Sequence, residues 1–357
     1  MNNSDRTRTE LRGQFLHQNG WADAEIEALP ADMSFRRYFR LQDGTRHALL
    51  MDSPPDKEDI RPYVKIARHL GELGLSAPEI TALDEDSGFA VIEDFGNDTY
   101  NRLIAGGASE WPLYELAIDT LAAMHNHPNV INVDVPTYDI DKLIHEVVEL
   151  TDWYYPALTG AALPASTRAR YVQAWETVFD TLSTTPKSPN SLVLRDYHVD
   201  NLMILDGRDG VAKCGLLDFQ DAVIGHPAYD LTSLLEDARR DISDDLRSAM
   251  RKRYAQQTPS TAGDDFDDWY AVLSVQRHAK IAGRFTRFIL RDDNGKYLCH
   301  IPRVMGLLNR SLSMPVLKPV KHWFDEYWPD PEAPLPDFDP VEIRRLIAPE
   351  ALIPVRP

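Results

Sequence analysis

Cysteine is almost absent: Cys214 and Cys299 are the only two in 357 residues, far apart and in no C-x-x-C arrangement. Neither a disulfide framework nor a zinc site is encoded, and a reducing cytoplasm is the expected location. No apolar run approaches the roughly 18 residues that a membrane span requires. The N-terminal Met1-Asn2-Asn3-Ser4-Asp5-Arg6 opens no apolar signal segment, so no membrane partner is expected. Basic residues are scarce too, with 38 Lys and Arg against 56 Asp and Glu and a formal net charge of -18. Such a surface repels a polyphosphate backbone, which excludes nucleic acid as the expected partner. A nucleotide bound to so acidic a chain needs local neutralisation by divalent cations or a few placed Lys and Arg. Nor is there a G-x-x-x-x-G-K-[ST] loop to cradle phosphates.

What is present is a globular composition, 43% hydrophobic and 26% charged, in a chain longer than one core usually serves. Two lobes are expected, divided near residue 96. Leu11, Phe15, Leu16, Trp21, Ile26 and Leu29 predict an N-terminal helical cap over 11–29, interrupted near Gly20. Phe35, Phe39 and Leu41 alternate with period two, Asp43-Gly44 supplies a turn, and His47 to Met51 returns, which predicts a hairpin. Ile60, Val64, Ala67 and Leu70 follow at helical spacing, then two short apolar runs at 80–83 and 89–92. Residues 1–96 thus read as a small sheet lobe with one helix, and 97–357 as a larger, mainly helical lobe. Its one β interruption runs from Ser191 to Phe219, and further helices are expected at 228–240, 244–257, 266–290 and 300–315. The last 30 or so residues, rich in proline and acid, are expected to wrap the surface.

The chemistry concentrates in Leu194-Arg195-Asp196-Tyr197-His198-Val199-Asp200-Asn201 and, after a turn-rich hairpin, Leu217-Asp218-Phe219-Gln220-Asp221. Phosphoryl transfer needs an oxygen acceptor for the proton of the attacking hydroxyl and oxygen ligands for the metal that bridges the nucleotide phosphates. Asp196, Asn201 and Asp218 are that set. An Asp and an Asn five positions apart on a tight loop can face one cleft, and the hairpin returns Asp218 beside Asn201. The bland alternative is a group of turn carboxylates beside a structural hairpin.

Arg195-Asp196 to Asn201, Leu217-Asp218-Phe219 and Gly225-His226-Pro227-Ala228-Tyr229-Asp230-Leu231 together resemble the aminoglycoside phosphotransferase and choline kinase family, over most of the chain. The resemblance implies an α+β, protein-kinase-like two-lobed fold, ATP and Mg2+ as cofactors, Asp196 as catalytic base, and Asn201 and Asp218 as metal ligands. Within the family, Phe35-Arg36-Arg37-Tyr38-Phe39-Arg40, Met51-Asp52-Ser53-Pro54-Pro55, Leu217 to Ala222 and Gln276-Arg277-His278-Ala279-Lys280 resemble the bacterial anomeric amino-sugar kinases of peptidoglycan recycling. These phosphorylate N-acetylmuramate and N-acetylglucosamine at C1, and by resemblance a sugar-1-phosphate uridylyltransferase would receive the product. Two departures stand out. Leu194-Arg195-Asp196 replaces the usual His-Gly-Asp, and Ala48 to Asp52 lacks the usual phosphate-binding lysine. Arg37, Arg40 or Lys57 could substitute for that lysine. Ser34, Phe35 and Arg37 would cover the phosphates, and the backbone of Glu93, Asp94 and Phe95 would receive adenine.

Other candidates compete with plainer roles. His125 and His127 stand near a helix end, where a structural role outweighs a metal because no carboxylate completes the set. Asp230 reads as support for the catalytic loop. Asp221 could reach the sugar or sit in a surface turn. Arg277, Lys280, Arg284 and Arg287 form one basic stripe on a helix. Arg277 and Lys280 are the candidates for an acidic acceptor such as the lactyl carboxylate of N-acetylmuramate, against the plainer reading of a solvated face. Another small hydroxyl acceptor, whether an aminoglycoside, choline or homoserine, and an inactive nucleotide-binding module are the competing functions. Trp269, Tyr270, Trp323 and Trp328 could form the aromatic cage that choline requires.

Overall fold

The computed structural model describes residues 3–30, 35–183, 189–259, 265–328, 330 and 333–347. In chain order the elements begin with α1 (Asn3–Gln18), β1 (Glu25–Ala28), β2 (Arg37–Asp43), β3 (Arg46–Asp52), α2 (Arg61–Glu72), β4 (Ile80–Asp84), β5 (Phe89–Ile92), α3 (Tyr100–Ala105) and α4 (Glu110–Asn126). Then come α5 (Ile140–Glu149), a π-helical turn (Leu150–Tyr154), α6 (Tyr155–Thr159), α7 (Ala165–Ser183), β6 (Ser191–Val193), β7 (Leu202–Ile204), β8 (Cys214–Leu216) and β9 (Val223–Gly225). The chain closes with α8 (Ala228–Leu235), α9 (Asp244–Gln257), α10 (Phe266–Asp292), α11 (Ile301–Leu312), α12 (Lys318–Tyr327) and α13 (Pro340–Arg344). It is the expected α+β class. Among the described residues, those up to 120 together with 199–222 group into one compact unit, and those of 121–198 and 223–347 into a second.

In the first unit an antiparallel sheet runs in the order β1-β2-β3-β5-β4. The β2–β3 hairpin closes at Asp43 opposite Arg46, with Gly44 at φ 59°, the left-handed conformation that two-residue turns demand. Alternation buries Phe39 and Leu41 beneath β2, where they meet Leu50, Phe89, Val91 and the α1 residues Phe15 and Leu16. Each such side chain contributes about 1.5–3 kcal/mol on burial. The helical cap predicted over 11–29 is shorter than expected. Helix α1 stops at Gln18, Gly20 turns the chain at φ 78°, and Glu25–Ala28 pairs with β2 as an edge strand. Four exposed residues complete a strand whose ladder is made by backbone groups, which side-chain periodicity does not report.

The second unit is organised by α10, whose 27 residues are apolar or paired on nearly every face. Gly283 on this helix has no room for a side chain, because a Cβ there would lie 2.2 Å from the backbone of Glu149 at the end of α5. That close approach lets Arg284 donate to Glu149 at 2.9 Å and brings Arg287 to 3.4 Å. The carboxyl-terminal segment packs Ile343 and Ile347 onto Trp153, Ala157 and Leu290. Among the described residues no helix is long and apolar enough to cross a membrane. Gly283→Ala should push the two backbones apart and cost about 1–3 kcal/mol of stability. A thermal unfolding midpoint equal to that of the parent chain would contradict this packing.

Candidate active site

Strands β6 and β9 pair antiparallel with Ser191 opposite Gly225 and Val193 opposite Val223, and α8 begins three residues after β9 ends. Asp230, in the first turn of α8 and 0% exposed, accepts from the N–H of Leu194 at 2.6 Å and of Arg195 at 2.8 Å. Those two bonds hold Arg195 at φ 71°, a left-handed conformation that costs an ordinary residue about 1–2 kcal/mol. Asp230 therefore supports the loop as its position in the sequence suggested. Burial pushes its carboxyl up to about 7, opposed by the two N–H donors and Arg277.

The Arg195 side chain turns to Glu146 on α5 at 2.5 Å. Glu146, 5% exposed, also accepts from Tyr138 Oη and from Gln276 Nε2 at 3.2 Å, and faces Lys280 Nζ at 3.3 Å. Burial works against its charge, but Lys280, Arg195 and Tyr138 hold the carboxyl far below its usual range. Lys280 donates to Tyr229 Oη at 2.5 Å, and Arg277 donates to Ser233 Oγ at 2.7 Å while its buried Nε has no partner. Arg277 and Lys280 are thus buried, and the stripe as a whole pairs with acids and hydroxyls of neighbouring helices, Arg284 and Arg287 being half-buried. Its consequence falls on Asp196, half-buried after Arg195. Desolvation raises its pKa, yet Arg277, His198, Lys280 and Arg195 outweigh that and keep the carboxyl below the usual range. Asp196 is an ionised acceptor at neutral pH.

Asn201 and Asp218 belong to the other unit, where the β7–β8 hairpin sets Leu202 opposite Leu216. The next residues outward therefore meet: Leu217 N–H donates to the Asn201 carbonyl at 3.0 Å, and Asn201 Nδ2 lies 3.3 Å from Asp218 Oδ2. Asp218 is exposed, sits at φ 58°, and accepts from Gln220 Nε2 at 2.9 Å. One carboxylate and one amide oxygen suit Mg2+, which keeps most of its octahedron for phosphates and water. Among the described residues no three His, Cys, Asp or Glu converge as a closed metal cage.

Ser34 lies outside the described residues, and Phe35 and Arg37 are exposed. A cation that feels the charge of Asp218 is one the sequence did not single out. Arg36, 8% exposed, pairs with Glu58 at 2.5 Å, and although burial opposes its charge, Tyr38, Glu58 and Asp218 keep it protonated. Arg40 instead pairs with Asp94 at 2.6 Å. Glu93 takes Arg208 at 2.5 Å, and the Phe95 ring packs where a Cβ on Gly215 would be 2.9 Å away. Asp221 is exposed.

The remaining candidates take structural roles. His125 Nδ1 is 2.7 Å from Tyr254 Oη, and burial lowers its pKa to about 3. Trp269 stacks on His226 at 4.8 Å, while Trp323 and Trp328 join a cluster with Tyr154, Tyr171 and Phe324. These two tryptophans pack against one another at 6.0 Å and are 2% and 5% exposed, so they leave no open cage for a quaternary ammonium.

Comparison with known proteins gives a consistent answer. Residues 25–266 match the phosphotransferase enzyme family. An N-acetylmuramate/N-acetylglucosamine kinase of Caulobacter vibrioides is 34% identical over 356 residues, spanning 90% of this chain and 97% of the relative. A protein of the same name in Pseudomonas aeruginosa is 36% identical over 306 residues, spanning 82% of this chain and 86% of the relative. A solved choline/ethanolamine kinase family protein from Mesorhizobium loti shares the fold with a TM-score of 0.61 at 14% identity, over 90% of this chain and 98% of its own.

The raised pKa of Asp230 carries a stability consequence with a definite sign. Its neutral form is favoured on folding, so that contribution is complete below pH 4 and is lost as pH rises through about 7. At 1.36 kcal/mol per unit, the loss reaches about 4 kcal/mol. The stability difference between the parent chain and Asp230→Asn should shrink by up to that amount between pH 4 and pH 8 in denaturant titrations. A difference constant with pH would contradict the assignment.

Proposed function

The chain belongs to the phosphotransferase enzyme family, and from that premise we propose that it transfers the γ-phosphate of ATP to the anomeric C1 hydroxyl of N-acetylmuramate and N-acetylglucosamine. The observation that carries the acceptor is the agreement of relatives named N-acetylmuramate/N-acetylglucosamine kinase over more than four-fifths of the chain. The ionised state of Asp196, enforced by four surrounding cationic or imidazole groups, supports its assignment as base. In this reading its carboxylate accepts the hydroxyl proton as the C1 oxygen bonds to the γ-phosphorus, and the bond from that phosphorus to the bridging oxygen breaks to release ADP. The product is an α-1-phosphate, suited to a uridylyltransferase in the cytoplasm.

Asn201 Oδ1 and Asp218 would hold Mg2+. The ion, when bound, would neutralise charge on the β- and γ-phosphate oxygens. Residues 1–96 serve the nucleotide in this reading, with Ser34, Phe35 and Arg37 over the phosphates and the Glu93–Phe95 backbone at adenine, and 97–357 serve catalysis and the sugar. Arg36 supplies the buried positive charge beside Asp218 that the lysine-free strand β3 does not. Its pairing with Glu58 fixes the guanidinium as a salt-bridged cation, held without loss of charge. Arg277 and Lys280 act on the base electrostatically, and Asp221 remains available to the sugar.

Two substitutions test the division of roles. Asp196→Asn should lower turnover by about 10^2–10^4-fold while nucleotide binding persists, measured by ADP release and by titration with a fluorescent ATP analogue. Unaltered turnover would remove Asp196 from the mechanism. Arg36→Ala should raise KM for ATP by about tenfold with little change in KM for the sugar, since it removes a charge-assisted contact of roughly 1.5–3 kcal/mol. Equal shifts in both constants would contradict a phosphate role.

A further inference from the structure

The second unit contains a polar cavity of about 230 Å³ outside the loop that carries Asp196. It lies between the segment following α8, the start of α9 and one face of α11, and four of its lining side chains are Arg240, Arg247, Arg303 and Arg310. Such a concentration of guanidinium groups is unexpected in a chain with a net charge of -18. Three carboxylates share the lining, and their commitments differ. Glu236 accepts from Ser274 Oγ at 2.6 Å, and Asp241 takes both nitrogens of Arg303 at 2.7 and 2.9 Å. Asp237, 2% exposed, accepts the Arg239 N–H at 2.8 Å through Oδ1, while its Oδ2 is buried with no donor. A buried carboxylate oxygen without a donor costs on the order of 1–3 kcal/mol or more, and a bound hydroxyl or amide N–H would satisfy it.

The cavity adjoins the base through a short chain of side chains. Arg239 follows Asp237 by two residues and donates to His198 Nε2 at 3.0 Å. His198 lies two residues after Asp196 and is one of the groups that lower its pKa. The charges of Asp237 in the cavity lining and of Asp196 both act on His198, which links the cavity to the base. The cationic groups nearer the base are already committed, Lys280 to Tyr229 and Glu146, and Arg277 to Ser233.

We propose that this cavity is a carboxylate-recognition subsite, in which Arg310 and Arg240 bind the acidic substituent of the acceptor and Asp237 Oδ2 takes one of its N–H or O–H donors. The inference rests on the amino-sugar kinase reading, where the two acceptors differ by a lactyl ether that carries a carboxylate. Planar guanidinium forks match a carboxylate bidentately, and a lining that also offers a carboxylate acceptor distinguishes an acidic sugar from a bare anion. Arg303 pairs with Asp241 and Arg247 with Asp244, and both add to the positive potential of the wall.

Arg310 is exposed, which makes Arg310→Ala the first variant and Arg240→Ala the second. Each should raise KM for N-acetylmuramate at least tenfold more than KM for N-acetylglucosamine. Equal changes for both sugars, or none, would overturn the proposal. Calorimetric titration of the full chain with N-acetylmuramate alone separates this inference from the functional reading beneath it. Carboxylate-dependent binding that weakens in both variants supports the subsite even if neither sugar is phosphorylated, an outcome that would defeat only the kinase reading. Binding of N-acetylmuramate that is no tighter than that of N-acetylglucosamine, or that is unchanged in the variants, defeats the subsite.

Discussion

Glu146 is the buried charge on which the second unit depends. A carboxylate removed from water loses solvation worth several kcal/mol, and only a set of donors with good geometry restores it. Here the set comes from four places in the sequence: Tyr138 before α5, Arg195 in the loop after β6, and Gln276 and Lys280 on α10. Because these donors come from three separate segments, satisfying the carboxylate fixes those segments against α5. The loop that carries Asp196 is among them.

The cationic side of this lattice has a second effect. Lys280 and Arg195 hold Glu146 ionised, and the same two groups, joined by Arg277 and His198, keep the Asp196 carboxyl low despite its burial. Structure and chemistry thus use one set of charges. The unusual backbone at Arg195 fits this economy of parts. A glycine in the usual His-Gly-Asp would adopt φ 71° without penalty but would offer no guanidinium to Glu146. In this chain the conformational cost at Arg195 is offset by two hydrogen bonds to Asp230 and one buried ion pair. Asp218 carries a comparable strain at φ 58° in the other unit, where the hairpin register and Gln220 hold it beside Asn201.

Much of this was legible from residues alone. Period-two alternation and Asp43-Gly44 located the first hairpin, and 3.6-residue spacing located α2, because each signal arises within a single element. The order of Asp196, Asn201 and the strand ending at Asp218 was visible for the same reason. What escaped was non-local. Arg36 and Arg37 are adjacent and chemically alike, and only Glu58, 22 residues away, distinguishes the buried one. The stripe on α10 could be read as a substrate face or a solvated face because its acids lie on α5, more than 130 residues earlier. Arg303 and Arg310 stand seven apart on α11, but Arg240 and Arg247 come from other segments, and the four meet only when three segments pack. Strand β9, three residues long, likewise declares itself by pairing with β6 and not by composition.

The account's central claim is chemical: phosphate is transferred to the anomeric oxygen of an amino sugar. Phosphorus NMR of the product formed from the purified chain, ATP, magnesium and N-acetylmuramate or N-acetylglucosamine tests it most directly. The account predicts a new phosphomonoester resonance coupled to the anomeric proton. A resonance coupled to the C6 protons, or ATP consumed with no phosphosugar formed, would contradict it.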